Sequence, residues 1–503
     1  MAGGFAELQN NANPIWYRDK GLRKMSLHVV MIFFAVFTFG YDGAYLNGLL
    51  IVPAWGKYFG NPAGQDLGLI TASFYFPKII TPPLAAWISD KYGRRVSIMV
   101  GSVVTLAGGL LGAFSTSRGQ FIGGRVMVGA GQAFHQAVAP PLLQELAHPR
   151  VRGIVGAMYL GIFFVGSIFS AFLTLGMINW DSEWAWRLPT LLQVLGTIII
   201  SSYILAGQMP ESPRWQLRNG RGDRALKTLA ELHANGDEND ELVRYEFAEM
   251  EESLRADEGA ATVSYLEFFR THGNRRRLLV TCVVAAGAQL GGITEPPRQA
   301  GINAGLSIWG LVCVMTAAQF IDRLGRRVLW MQGLIGMFIW FSFITALSGA
   351  FASTGSQAIG TAVIPFLFLF QMANTTSFTT VAYMYATEIN PYALRSKALS
   401  IYISVQGVAL SFNQYVNPIA LAAIAWKYYF VFSGIQIFLI VFAWFFFLET
   451  RGCTIEEASL LYDGPEAVAR ASEKAAQDTH DMPAKKEDAE QEFVEGGDVR
   501  RTA

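Results

Sequence analysis

The chain has 503 residues, of which 52% are hydrophobic and 13% aromatic, and only 16% carry a charge, well below the roughly 25% of an ordinary soluble domain. Its 39 Lys and Arg are matched by 39 Asp and Glu, so the charge balance points neither to nucleic acid nor to an acidic partner. The three cysteines (Cys282, Cys313, Cys453) and six histidines (His28, His135, His148, His233, His272, His480) form no disulfide framework and show no metal-ligand spacing, so neither metal nor cofactor is expected.

Apolar residues gather into about a dozen stretches of roughly 16 to 26 residues, the length a helix needs to cross ~30 Å of hydrocarbon. In chain order they fall near 26–48, 68–88, 96–114, 120–143, 153–177 and 187–206, and then at 278–293, 300–321, 328–350, 358–385, 396–422 and 428–448. The N-terminus shows no short cleavable apolar segment, so the first span is expected to act as the targeting signal. Between the sixth and seventh spans lies a polar stretch with amphipathic helical patterning, Arg224-Ala-Leu-Lys-Thr-Leu-Ala-Glu-Leu232. The sequence after Tyr462 is rich in Glu, Asp, Lys and Ala, the composition of a disordered tail. The expected division is therefore an N-terminal segment 1–25, a six-helix half 26–206, a helical linker 207–277, a second half 278–448 and a tail 449–503. The fold class is an all-α integral membrane bundle.

Basic residues set the orientation. Arg18, Lys20, Arg23 and Lys24 precede the first span, Lys91, Arg94 and Arg95 follow the second, Arg150 and Arg152 the fourth, Arg323, Arg326 and Arg327 the eighth, and Arg395 and Lys397 the tenth. The loops on the other side hold only Lys57, Arg118, Arg298 and Lys427, so both termini are expected in the cytoplasm of a multi-pass, plasma-membrane protein. Asp90-Lys-Tyr-Gly-Arg-Arg95 recurs as Asp322-Arg-Leu-Gly-Arg-Arg327, and Glu145…Arg152 recurs as Glu388…Arg395. The two halves thus read as parallel copies.

Further motifs are Gly40-Tyr-Asp-Gly43, Gly124-Arg-Val-Met-Val-Gly-Ala-Gly131, Pro210-Glu-Ser-Pro-Arg-Trp215, Phe412-Asn-Gln-Tyr-Val-Asn-Pro418 and Glu449-Thr-Arg-Gly-Cys-Thr-Ile-Glu-Glu457. In this order and spacing they resemble the sugar porter family of the major facilitator superfamily, in particular its fungal lactose permease-like and hexose transporter-like group. The resemblance implies two six-helix halves with a sugar bound between them near the midplane, no enzyme activity, and a monomer whose partners are sugar, protons and the lipid bilayer.

Asp42 stands inside the first span, where a carboxylate needs a function or a partner, and Arg125 in the fourth span is the natural partner. The resemblance makes this pair the proton-coupling site. Lys78 lies twelve residues before Asp90, about 18 Å along a helix, near mid-membrane. It either lines the cavity beside Asp42 or reaches a separate polar pocket. Gln289, Tyr383, Tyr385, Asn413, Gln414 and Asn417 match the sugar-binding positions of the family. Asp90, Arg94, Arg95, Glu145, Arg152, Glu211, Arg214, Asp322, Arg326, Arg327, Glu388 and Arg395 would gather at the cytoplasmic helix ends as a gate whose ion pairs form in one state and break in the other.

The sequence departs from the family in two places. Leu160 and Gly161 stand where the fifth span would carry an amide and a threonine. In the seventh span, Gln289-Leu-Gly-Gly-Ile293 runs straight into Thr294-Glu-Pro-Pro-Arg298, as though roughly twenty residues carrying an Asn and a Tyr-Tyr pair were missing. The apolar 278–293 segment would then reach about 24 Å, short of the ~30 Å core. Two functions follow: a proton-coupled importer of a hexose or of a disaccharide such as lactose, or a transport-impaired paralogue, sugar sensor or mis-spliced product. An ATP-driven pump is disfavoured, because no GxxxxGK[ST] phosphate loop occurs.

Overall fold

The computed structural model describes residues 10–13, 15–261, 264–290, 300–379, 381–382, 385–386, 389–390, 392–449 and 462. Among these residues the regular elements are helices only, as the need to satisfy backbone polar groups inside hydrocarbon demands.

The first half comprises α1 (Lys20–Leu49), α2 (Pro53–Phe59), α3 (Gly64–Ala72), α4 (Thr81–Tyr92), α5 (Arg94–Ala113), α6 (Arg118–Leu146), α7 (Arg152–Met177), α8 (Trp184–Leu192) and α9 (Leu195–Leu205). The linker holds α10 (Pro213–Arg218), α11 (Gly222–His233), α12 (Glu241–Ala261) and α13 (Glu267–Arg270). The second half follows with α14 (His272–Leu290), α15 (Ala300–Leu324), α16 (Arg326–Thr354), α17 (Gln357–Asn374), α18 (Tyr392–Ile424) and α19 (Tyr429–Phe446).

Among the described residues seven helical stretches are long and apolar enough to cross a membrane, the last of them, Lys397–Phe446, holding two of the expected crossings. The expected spans outside this group have visible causes. The second is broken into α3, a 3₁₀ turn over Phe76–Ile79 and α4, because Pro77, Pro82 and Pro83 cannot donate to a helical ladder. The fourth, α6, carries Arg125, Gln132 and His135. The seventh, α14, starts at His272, six residues before the expected 278, so its first turns are polar; residues 291–293 of that span lie outside the described residues. The eighth, α15, offers among the described residues only the shorter apolar stretch Gly301–Ala317. The tenth is within the group and changes at Thr375 from α-helix to a π-helical turn over Thr375–Thr379.

Each half has its own core. Ile32, Ile98, Phe134, Leu142 and Ile200 interlock in the first half, with an aromatic cluster of Tyr41, Tyr45, Trp55, Phe121 and Trp186 at one end. Val284, Trp330, Phe341, Phe370 and Phe432 do so in the second. With no hydrophobic force between helices in lipid, small residues allow the close contact. A Cβ placed on Gly124 of α6 would stand 2.7 Å from Gly112 N and 2.8 Å from Gly108 O of α5.

The halves meet along two seams. In one, α7 packs on α15, with Gly161 under Met315 and Gly310 under the Phe164 ring. In the other, α18 packs along α3 and the Phe76–Ile79 turn but only lightly on α4. Here Thr71 Oγ1 donates to Gln414 O at 2.7 Å, and a Cβ on Gly407 would stand 3.1 Å from the Lys78 carbonyl carbon. This second seam is therefore closed at its Gly68 end and looser toward the basic loops.

The linker docks onto the basic end of the first half. His233 Nδ1 and Glu246 Oε2 hydrogen-bond at 2.6 Å, Arg152 Nη2 donates to Glu246 Oε1 at 3.3 Å, and the His148 ring lies 5.1 Å from that of His233. Asn235 Nδ2 reaches Asp19 Oδ2 at 2.8 Å, and Asn10 Nδ2 reaches His233 O at 3.1 Å, which ties the N-terminal segment into the same dock.

Replacing Gly124 with Leu should force α5 and α6 apart and cost ~1–3 kcal/mol by overpacking, seen as a lower melting temperature in detergent. Gly119→Leu, where a Cβ meets nothing within 4 Å, should leave it unchanged. Acid should loosen the linker dock. Burial, together with neighbouring His233, pushes His148 down from its usual 6.5 to about 4, while Glu246 is held low because His233 and Arg152 outweigh the opposing effect of its burial. Both contributions are complete above the unfolded pKa values and are lost as pH falls through the folded ones. Protease cleavage within α11 and α12 should therefore accelerate between pH 6.5 and 4, before the membrane helices melt.

Candidate functional site: a buried charge cluster between the halves

The break in the second span is what assembles the site. Backbone bonds of the i→i+3 type, from Tyr75 N to Ala72 O at 2.8 Å and Lys78 N to Tyr75 O at 3.0 Å, keep this turn's donors satisfied. Gly129 lets α6 approach it closely: a Cβ there would lie 2.8 Å from the Phe74 carbonyl carbon. Arg125, one turn earlier on α6, is thereby brought beside Phe74, with its Cζ 4.8 Å from that ring and 5.8 Å from the Tyr45 ring.

Lys78 points inward from the same turn. Only 4% of its surface is exposed, and its Nζ lies 4.1 Å from the centre of the Phe39 ring, 5.1 Å from Phe74 and 5.2 Å from Tyr75. Such contacts partly replace the hydration of an ammonium group. Asp42, on α1, is equally buried, and among the described residues neither of its carboxylate oxygens has a hydrogen-bond partner. The fields of Arg125 and Lys78 both act on it. Of the two readings open for Lys78 in the sequence, the structure supports the one that sets it beside Asp42. Gln132, two turns along α6 from Arg125, is fully buried with both amide atoms unpartnered among the described residues; its only sequence signal was an amide inside an apolar span.

The residues expected to bind sugar are placed less uniformly. Asn413 Nδ2 donates to Gln289 O at 2.7 Å, which satisfies a carbonyl at the end of α14. The Tyr428 hydroxyl donates to Asn417 Oδ1 at 3.2 Å, and Gln414 lies on the α3–α18 seam. Tyr385 is wholly buried in the second core, its ring 5.2 Å from Phe447 and its hydroxyl donating to Leu448 O at 3.1 Å. That ring is covered by protein on all sides. Tyr383 and Glu388 lie outside the described residues, while Asp322 is on α15 and Arg395 on α18.

At the basic end, Arg94 pairs with Asp90 at 3.1 Å and with Glu145 at 3.3 Å, all in the first half, and Arg214 lies on α10. Gly93 and Gly325 stand at φ 104° and 91°, a region open to glycine, and each turns the chain into the next helix. Glu211 accepts Arg94 N at 2.9 Å and Arg95 N at 3.2 Å. Glu449 accepts Arg326 N at 2.9 Å and Arg327 N at 3.1 Å. Each carboxylate thus caps the N-terminus of a long helix, where free N–H groups favour an anion, and the two clamps repeat between the halves. Glu449, although part of a quoted motif, had not been assigned to the gate.

The chain matches the Sugar (and other) transporter family over residues 28–462. It belongs to that family. Among its relatives are the high-affinity glucose transporter of Kluyveromyces lactis, 24% identical over 84% of this chain and 82% of the relative, and the MFS-type transporter criB of Aspergillus cristatus, 26% identical over 87% and 93%. The inward open xylose transporter XylE from E. coli superposes with a TM-score of 0.74 at 20% identity, covering 87% of this chain and 99% of that one. The protein is accordingly a multi-pass membrane transporter of the sugar porter type and not an enzyme.

Replacing Glu211 or Glu449 with Ala removes the two charge-assisted hydrogen bonds of each clamp, each worth ~1.5–3 kcal/mol, and for Glu211 also the one from Ser212 N. Either variant should lower the melting temperature, and the effects should add in the double variant because the clamps lie in separate halves. Gln variants should retain part of the stability.

Proposed function

We propose that this transporter carries a hexose, or a disaccharide such as lactose, across the plasma membrane together with protons, by alternating access between its halves, as a monomer with both termini in the cytoplasm. The carrying observation is the Asp42 carboxylate, buried without a hydrogen bond among the described residues and within the fields of Arg125 and Lys78. A membrane-embedded acid in that state is poised to take and release a proton as access alternates, because desolvation and neighbouring cations act on it in opposite senses. Glucose transporters among the relatives and a proton:xylose symporter among the similar structures favour the same reading. Gln289, Gln414 and Asn417, with Tyr383, are the proposed sugar contacts. The gate residues Asp90, Arg94, Arg95, Glu145, Arg152, Glu211, Arg214, Asp322, Arg326, Arg327, Glu388 and Arg395 would lock and release the cytoplasmic side, toward which the seam loosens between α4 and α18.

Asp42→Asn keeps the shape of the side chain but cannot exchange a proton. In a transporter-deficient yeast host it should abolish uphill sugar accumulation without reducing the amount of protein in the membrane, and Arg125→Ala should be as damaging. Unchanged accumulation in Asp42→Asn would sink the coupling claim.

A second reading, a transport-impaired relative, is favoured by the engagement of Asn413 with the Gln289 carbonyl. An amide needed for sugar is there occupied in closing the end of helix α14. Inserting about twenty family-like residues between Gln289 and Thr294 should raise uptake at least tenfold if the outer part of this helix is missing. Equal saturable uptake by both forms would refute the impairment.

A further inference from the structure

We propose that a recess at the cytoplasmic edge of the first half is a binding site for one anionic glycerophospholipid of the inner leaflet, held between α5, the end of α9 and linker helices α10 and α11. The recess encloses about 700 Å³. Its rim carries three guanidinium groups, Arg95, Arg221 and Arg224, and its floor is the α5 stripe of Val96, Val100 and Val103. The valines lie at helical spacing on one side of α5, with Val96 44% and Val103 60% exposed, so the floor continues into the face that meets lipid tails.

The cations are available. Arg224 is exposed and its side chain has no partner among the described residues, and Arg221 stacks on Trp215 at 5.5 Å. Among the described residues the Arg95 side chain keeps one bond, to Ile204 O at 3.3 Å. The carboxylate lining the recess, Glu211, is occupied by the backbone N–H groups of Arg94, Arg95 and Ser212. A surplus of guanidinium thus faces the headgroup level while apolar surface extends below it. That is the profile of a molecule with a phosphate at one end and acyl chains at the other: planar guanidinium groups match phosphate oxygens two at a time, and basic pockets beside membrane helices on the cytoplasmic side take anionic headgroups. Arginines that merely snorkel stand on open surface, whereas here α10 and α11 wall the site. A bound lipid would therefore bridge the linker to α5.

The inference rests on the cytoplasmic orientation proposed above but not on sugar transport, and its test reads binding alone. The purified full chain is titrated in detergent with phosphatidylserine, phosphatidylcholine or inorganic phosphate, followed by melting temperature and by native mass spectrometry. Phosphatidylserine should stabilise the protein and leave one retained lipid. Arg221→Ala/Arg224→Ala should weaken that binding at least tenfold, with melting in phosphatidylcholine unchanged. The pair Lys20→Ala/Arg150→Ala, removing two exposed cations elsewhere on the same face, should bind like the parent. Equal stabilisation by phosphatidylcholine, an equal loss in the control pair, or full replacement by inorganic phosphate would each overturn the proposal.

Discussion

Inside hydrocarbon every backbone donor and acceptor must find a partner within the protein, and the arrangement of this chain follows from where that demand is met without a straight α-helix. At Phe76–Ile79 the ladder changes to i→i+3 bonds around Pro77. The turn sits against α18 rather than lipid, with Gly407 of that helix directly against it. The break swings Lys78 into the interior, beside Asp42 and Arg125. A regular helix through the same residues would carry the chain past this point without the turn that seats the ammonium among Phe39, Phe74 and Tyr75. At the end of α14 the same demand is met by the Asn413 side chain.

Small residues and carboxylates then fix how the pieces come together. The Gly-lined contact of α5 with α6 allows backbone approach that no larger residue would permit. It holds α6 so that Arg125 meets Phe74. The clamps of Glu211 on Arg94 and Arg95, and of Glu449 on Arg326 and Arg327, anchor the start of one long helix in each half to the chain that follows the sixth or twelfth span. Because each clamp closes within its own half, the halves could move as units while the two seams change, as the alternating access proposed above would require.

The linker belongs mechanically to the first half. Its contacts through His233, Glu246 and Arg152, and its tie to the N-terminal segment through Asn235 and Asp19, are several polar bonds around a small apolar cluster of Leu229, Ala230 and Val243. A dock built mainly from titratable and polar groups responds to pH and to ligands more readily than a hydrophobic core does.

Much of this was legible in the sequence. Apolar windows and basic loops are local signals, and the membrane couples them directly to helix position, so the succession of helices, the repeat of Asp90–Arg95 in Asp322–Arg327 and the family all follow from residues read in order. Asp42 and Arg125 stood out because a charge in an apolar stretch is costly wherever the fold puts it. The helix break around Pro77, the seating of Lys78 among Phe39, Phe74 and Tyr75 where its charge acts on Asp42, the spending of Asn413 on Gln289, the burial of Tyr385 in the second core and the pairing of Glu449 with Arg326 and Arg327 were decided only by the tertiary structure. Each depends on which residues from distant helices arrive at the same place. Sequence spacing sets depth along a helix, but the face a side chain presents and the neighbour it meets are fixed by packing between helices.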